Sequence, residues 1–349
     1  MRIAEHGKFR LTPVSPVNIG SGEKLSRLDF CLEKERLVVK DVRRYLSDPK
    51  IGMDEKMRVI EREEPERVKY DRYSLTSFIP VGARPPREIV EFIKGCDGRP
   101  FIPGSSLKGA IRSALAWKLA EGPLKGDLPQ AVRKGIEKTK RTEADEWFDK
   151  KAFRSDPVKD SLKCLILRDS PPLEPGRLSA YEARVFNSGR NIPIYLEALR
   201  PDEGLCIDID FFYDLYRSKE KDGFSISRQA WELINGKDKI RGLLKDYCQW
   251  LLSKEVEYFD KGPGKGCPVK SFYEGLLQRW ERGEVSLPLG FGTGWHMKTV
   301  GKLLAEEDLE RLKGRHMRSL KPPHPQTRKV ILIKSEPRYP IGWVKVEVI

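Results

Sequence analysis

Phe101-Ile102-Pro103-Gly104-Ser105-Ser106-Leu107-Lys108-Gly109-Ala110-Ile111-Arg112-Ser113-Ala114-Leu115 is the stretch from which the rest of this chain is read. A Pro-Gly turn delivers Ser105 and Ser106, and either hydroxyl can cap the helix that follows. Leu107, Ala110, Ile111, Ala114 and Leu115 then recur at helical spacing as an apolar stripe. Lys108 and Arg112 stand four residues apart on one side of that helix. Capping serines, free backbone amides and two cations at one helix start make a place for phosphate. An ordinary capped amphipathic helix shows the same local pattern, so the surroundings must decide. A nucleotide-binding P-loop does not fit. Its lysine follows the second glycine and precedes Ser or Thr, whereas here Lys108 precedes Gly109 and Ala110 follows it.

Upstream, residues 9–17 read as a strand interrupted by prolines and ending in the turn Asn18-Ile19-Gly20-Ser21-Gly22. Residues 29–39 alternate like a second short strand or hairpin. Residues 45–87 are dense in Lys, Arg, Asp and Glu, which predicts an insertion, partly helical and partly mobile. The capped helix is expected to run from 105 to 120, where Gly122-Pro123 stops it. A second charged insertion spans 125–163, and 164–169 read as a strand. Residues 192–199 and 205–212 bracket the turn 200–204 and predict a hairpin. A helix over 239–259 carries Ile240, Leu243, Leu244, Tyr247 and Leu251 on its core face. A Gly-Pro-Gly loop, another short helix, a charged helix over 305–313 and a final hairpin of 329–334 with 342–348 complete the order.

Without the insertions this is strand, helix, hairpin, helix, strand: the β-α-β-β-α-β order of an α+β, ferredoxin-like (RRM-type) fold. The expected division is a core over 1–300, with insertions at about 45–95 and 123–163. A basic C-terminal extension over 301–349 ends in the hairpin.

Lys and Arg number 66 against 52 Asp and Glu, a net charge of +14, which favours a polyanionic partner such as nucleic acid. Cys31, Cys96, Cys164, Cys206, Cys248 and Cys267 are scattered, with no C-x-x-C pair and no histidine cluster nearby. No metal site, no cofactor and no disulfide framework is expected, and a reducing, cytoplasmic setting is. The N-terminus lacks the apolar core of a signal peptide, and no apolar run is long enough for a bilayer, so no membrane partner is expected.

A second candidate site lies far along the chain. Gly290, Gly292 and Gly294 alternate around Phe291 and Thr293, and Trp295, His296 and Lys298 follow. Glycines so placed let a backbone come close to a large partner with N–H groups facing phosphate. A bulged edge strand or a helix-packing contact would use the same spacing. Leu289 stands where base-reading RRM domains carry a basic residue, and the aromatics do not recur, so base stacking on the sheet is not expected. The segment 311–329 holds Lys321, Arg328 and five further cations, no acidic residue, and three prolines; it is positioned in sequence to wrap RNA backbone.

The strand running into Asn18-Ile19-Gly20-Ser21-Gly22, then residues 102–112, then Gly290-Phe291-Gly292-Thr293-Gly294-Trp295 together resemble the signature of the RAMP superfamily of CRISPR-associated proteins. The opening Leu11-Thr12-Pro13-Val14-Ser15-Pro16-Val17, the strand Leu28-Asp29-Phe30 and the pair Lys298-Thr299 after Gly294-Trp295 are most similar to one subunit type. That type caps the crRNA 3′ end in type III-A (Csm) effector complexes. The resemblance implies a ferredoxin-like RAMP core and a non-catalytic, RNA-binding subunit involved in crRNA maturation and antiviral defence. Its partners would be crRNA, the backbone RAMP subunit and the small subunit, with target RNA and host nucleases as further candidates. Ser105, Ser106, Lys108 and Arg112 would lie on the guide backbone, and Gly290, Gly292, Gly294 and Lys298 beside it. The alternative is a RAMP ribonuclease acting on crRNA precursor or target RNA, or a subunit of a Cmr complex. Catalysis would then fall to His6 or His296 as acid–base groups, or to Asp29 with a divalent metal.

Overall fold

The computed structural model describes residues 6–349 apart from 81, 83–85, 128, 131–132, 134–145, 154–159, 190–191, 214–218, 221–222, 225–226, 299, 306 and 311–325. Helices and strands are mixed along the chain, and the strands form a five-stranded sheet, a nine-stranded sheet and a two-stranded ribbon.

The first sheet is antiparallel throughout, in the order Ser286–Pro288, Trp343–Val348, His6–Pro13, Ile207–Tyr213, Leu165–Leu167. Period-two patterning sets its faces. Phe9, Leu11, Ile207, Ile209, Phe211, Val344 and Val346 are buried in one large core. Lys8, Arg10 and Asp208 form ion pairs among themselves on the other face. The helices Gly104–Glu121 and Lys237–Asp260 belong to the same core. The first starts one residue before and ends one after its expected bounds, and the second carries Ile240, Leu243, Leu244, Tyr247 and Leu251 inward as expected.

The second sheet runs Gly20–Ser26, Glu88–Phe92, Pro193–Leu199, Leu178–Phe186, Asp71–Ser77, Arg36–Lys40, Phe30–Glu33, and Arg328–Ile333 with Glu336–Pro340 joins it at Leu178–Phe186. Its two end strands, Gly20–Ser26 and Phe30–Glu33, are separated in sequence only by the short 3-10 turn Arg27–Asp29. The sheet therefore curls until its ends nearly meet.

Two expected hairpins are corrected. Pro193–Leu199 pairs with Leu178–Phe186 in the second sheet, whereas Ile207–Tyr213 pairs with His6–Pro13 in the first. The link between them crosses from sheet to sheet, held where the Asp202 N–H donates to the Pro13 carbonyl at 3.0 Å. Alternation identifies a strand and its buried face but carries no information about its partner. The C-terminal hairpin fails for the same reason. Arg328–Ile333 turns back on Glu336–Pro340, and Trp343–Val348 inserts between two strands of the first sheet. The segment after residue 300 thus supplies strands to both sheets and is no appendage.

The charged segment after Lys40 is also more ordered into elements than expected. Asp71–Ser77 and Glu88–Phe92 are strands of the second sheet. Between Lys40 and Asp71 the helices Val42–Ser47 and Met53–Arg62 close over a satellite core of Tyr45, Ile51, Val59 and Val68. The Asp41 carboxylate starts that unit by accepting from the Arg44 N–H at 2.9 Å.

Candidate nucleic-acid interface

The glycine-rich loop lies at the junction of the two sheets. The Leu289 N–H donates to the Gly342 carbonyl at 2.6 Å, and the Gly342 N–H to the Pro16 carbonyl at 2.8 Å. The Phe291 N–H donates to the Asn18 carbonyl at 2.7 Å. Gly290, Gly292 and Gly294 all have positive φ, at 82°, 79° and 90°. Close approach makes Gly290 obligatory, since a Cβ there would lie 2.1 Å from the Asn18 carbonyl oxygen; one on Gly292 would crowd only a side chain, at 2.9 Å from Ile341 Cδ1. Gly294 differs, since a Cβ there would meet nothing within 4 Å. The loop is pinned on one side and open on the other.

Asn18 carries this pinning into the second sheet. Its Nδ2 donates to the Glu197 carbonyl at 2.6 Å. The fully buried Glu197 carboxylate accepts from Tyr73 Oη at 2.6 Å, the Phe92 N–H at 3.0 Å and Lys94 Nζ at 2.5 Å. Burial, then the Glu197 charge, pushes the Tyr73 hydroxyl far above the ordinary tyrosine value.

Two cations lie near the loop. Lys298 ends the short Trp295–Lys298 helix, its residue reaching solvent while its ammonium is partly screened from it. The Lys329 ammonium lies 5.6 Å from the centre of the Phe291 ring. Partial burial, and then the positive charge of Lys329, holds the Lys298 ammonium below the ordinary lysine value. Two like charges kept close, over a loop of glycine amides, suit a phosphodiester. Lys329 was expected in the basic segment and Phe291 in the glycine motif, but their pairing is non-local and has no signal in the sequence.

The helix start turns out differently from its expected role. Pro103 occupies the cap position and no serine side chain caps the helix. Ser105 is exposed and Ser106 half-buried, both within the first turn. The anion position is met from inside, because the Gly104 N–H donates to Asp169 Oδ1 at 2.9 Å. Gly104 also docks on the neighbouring strand end: a Cβ there would sit 2.4 Å from the Arg168 carbonyl oxygen. Lys108 is half-buried and already engaged by neighbours. Arg112 reaches Asp160 at 2.6 Å, with its guanidinium carbon 3.7 Å from the centre of the Phe153 ring. Arg112 is thus engaged within the chain, with its side chain still 35% exposed.

Arg328 is corrected more strongly. It is buried, with Nε 2.7 Å and Nη2 3.0 Å from the two Glu255 carboxylate oxygens. No phosphate reaches it. Lys321, His316 and His324, with most of the basic segment, lie outside the described residues.

The segment after the glycine-rich loop packs on the helix that follows the first motif. The Trp295–Lys298 and Val300–Leu303 turns pack against the Gly104–Glu121 helix. Tyr247 Oη donates to the Met297 carbonyl at 3.1 Å while its ring lies 5.5 Å from that of Trp117, late in the helix. Of the groups considered for catalysis, the Asp29 carboxylate accepts from both the N–H and the hydroxyl of Ser26, at 2.7 and 2.6 Å. His6 is exposed, edge-on to Phe212 with ring centres 4.5 Å apart. Among the described residues no group of three His, Cys, Asp or Glu side chains is placed to hold a metal ion, and no helix is long and apolar enough to cross a membrane.

The chain is similar to known proteins in sequence and in fold. A protein of Methanocaldococcus jannaschii described as CRISPR system Cms protein Csm5 is 25% identical over 381 positions, covering 96% of this chain and 87% of that protein. The Csm5 protein of Streptococcus thermophilus is 27% identical, covering 78% and 82%. Two solved structures share the fold, each at 24% identity. One is a chain from the cryo-EM structure of a Csm–crRNA–target RNA ternary complex of a type III-A CRISPR–Cas system, with a TM-score of 0.75 over 98% of this chain and all of that one. The other is the crystal structure of T. onnurineus Csm5, with a TM-score of 0.67 over 96% and 99%. The sequence profile of the RAMP superfamily matches residues 10–295, from the first strand to Trp295 just after the glycine-rich loop, and the chain belongs to that superfamily.

Proposed function

We propose that this chain is an RNA-binding subunit of a type III-A CRISPR (Csm) effector complex. It closes the filament of backbone RAMP subunits at the crRNA 3′ end and takes part in crRNA maturation and antiviral defence. The observation that carries the RNA contact is the glycine-rich loop, fixed against Asn18 and open at Gly294, with Lys329 5.6 Å from the centre of the Phe291 ring and Lys298 four residues after Gly294. The contact runs through ribose-phosphate and reads no bases. Ser105 and Ser106 are proposed to extend the surface, although Asp169 already takes the Gly104 N–H at the helix start.

The first sheet with its two helices is inferred to be the ferredoxin-like core. Its strand order places the fourth core strand beside the first and the second at the far edge, which is the order that fold requires. The core then comprises residues 1–300 together with the returning strand Trp343–Val348. The backbone and small subunits are the proposed protein neighbours, target RNA and host nucleases the further ones, and the cytoplasm the proposed setting. The subunit is proposed to be non-catalytic: Asp29 is spent on holding the Arg27–Asp29 turn.

Titrating labelled CRISPR-repeat RNA with the purified chain across salt concentrations tests this reading. The expected result is binding with a log–log salt slope that flattens by about 1 for each of Lys298→Ala and Lys329→Ala. Unchanged slopes in both variants would remove the interface. Specific RNA cleavage that vanishes in His6→Ala or Asp29→Ala would overturn the non-catalytic role.

A further inference from the structure

We infer that Phe78 is a stacking platform for one base of the bound RNA, an inference that rests on the RNA-binding reading above. The Phe78 and Tyr181 rings lie parallel, with centres 5.0 Å apart and planes 11° from one another. Tyr181 is 2% exposed and Phe78 37%. The inner ring is therefore sealed within the structure, and the outer one turns its free surface away from it. A base laid there becomes the third layer of an existing stack.

The ring is held still. The Phe78 N–H donates to the Ala180 carbonyl at 2.8 Å, which carries the parallel pairing of Ser77 with Ala180 one residue further. The Ile79 N–H donates to Ser77 Oγ at 3.2 Å, and Ser77 and Ile79 on either side of the ring are buried. Tyr181 stands opposite Leu196, and Leu196 opposite Val90, so Phe78 ends a row that crosses the second sheet. A platform fixed before binding loses little entropy when a ligand docks.

Continuity names the occupant. Tyr181, Ile331 and Ile341 share one core cluster, and Phe291 of the glycine-rich loop packs against it. Lys329, near the Phe291 ring, is paired with Val185, four residues along the strand from Tyr181. At the rise of a strand that is about 13 Å. Single-stranded RNA held at the lysine thus has the ring within reach. The stretch 78–87 has no acidic residue, and Arg87 at its end is exposed with no ion-pair or hydrogen-bond partner among the described residues. Two acids adjoin the stretch. Glu88 is held by Lys24 at 2.6 Å, and Glu35, whose carbonyl takes the Ser77 N–H, stands between Lys34 and Arg36. Every base has a π face, so the ring holds RNA without reading its sequence. No stacking is expected of the Gly290–Trp295 motif, and none is assigned to it; this ring lies just past the strand Asp71–Ser77.

The test uses the full-length chain and two labelled probes of equal length: single-stranded CRISPR-repeat RNA, and a sugar-phosphate oligomer without bases. Phe78→Ala is expected to weaken RNA binding about tenfold and to leave the salt slope and the base-free oligomer's affinity unchanged. Phe78→Trp should bind RNA at least as tightly as the unaltered chain. Phe78→Leu keeps an apolar cover over Tyr181 but has no π face, and should weaken RNA binding as Ala does. A circular dichroism melt checks the fold of each variant. RNA carrying iodouracil should photo-crosslink to Phe78. Full RNA affinity in Phe78→Leu overturns the inference, as does an equal loss on the base-free oligomer or a loss confined to binding of other subunits of the complex. Weaker binding of both probes in Lys298→Ala/Lys329→Ala reports on the glycine-rich loop, so failure at Phe78 leaves that interface standing. A chain that binds neither probe overturns the RNA reading and this inference with it.

Discussion

Arg328 and Glu255 form a two-pronged ion pair with side-chain exposures of 9% and 1%, and the guanidinium carbon lies 3.9 Å from the centre of the Tyr258 ring. This pair ties the Arg328–Ile333 strand to the Lys237–Asp260 helix. Arg328→Ala leaves a carboxylate buried without its partner and is expected to cost about 3–5 kcal/mol. Exchanging both for apolar residues, Arg328→Met with Glu255→Leu, is expected to recover most of that loss. Denaturant midpoints measure both, and the salt slope of RNA binding should not move in the folded double variant.

Glycine substitutions separate the pinned side of the loop from the open side. Ala at 290 or 294 is strained by the positive φ, by roughly 1–2 kcal/mol. Gly290→Ala must in addition displace the Asn18 carbonyl and with it the Phe291 hydrogen bond, adding about 1 kcal/mol or more. Gly294→Ala meets no atom of the chain. Chemical denaturation should therefore show the larger loss for Gly290→Ala. RNA titration should show weakening for Gly294→Ala beyond what its small stability change explains.

What the sequence disclosed and what it hid follow from the range of each interaction. The stripe Leu107, Ile111, Ala114, Leu115 is local, and the helix is where its spacing placed it. The glycines at 290 and 292 announced close approach, but not that Asn18 and Ile341 were the atoms approached. Strand partnership is non-local, which is why Pro193–Leu199 and Ile207–Tyr213 looked like one hairpin while serving two sheets. Cations carry the same ambiguity. Arg112 and Arg328 look like phosphate ligands in sequence, yet Asp160 and Glu255, 48 and 73 residues away, claim them. Lys329 looked like part of a tail and stands beside the loop instead.

The buried network under Asn18 gives a prediction about position, not contact. Glu197→Gln keeps the shape but removes the charge that faces Lys94, itself 3% exposed. Glu91 at 3.1 Å still pairs with Lys94, so the expected cost is about 2–3 kcal/mol, short of a fully orphaned buried charge. Asn18 bonds the main-chain carbonyl of residue 197, which glutamine keeps, so RNA affinity should stay unchanged in this variant at salt concentrations where the fold remains intact. A lower affinity would mean that the carboxylate and its partners also set the loop's place.

Lys298 and Lys329 make the pH dependence of binding and of stability run in opposite directions. Partial burial and the neighbouring ammonium lower the Lys298 value in the folded chain, below the roughly 10.4 of a free lysine. Between the folded and unfolded values the unfolded chain binds more protons, so the stability of the RNA-free chain rises with pH through that window. Phosphate contact needs the charged form, so RNA affinity falls as pH climbs through the same window. Lys329→Met removes one cation and relieves the other. Affinity near neutral pH should drop with the lost contact, and the alkaline decline of what remains should move to higher pH. RNA titrations in a pH series measure both, and a decline that stays in place would show that Lys329 does not act on Lys298.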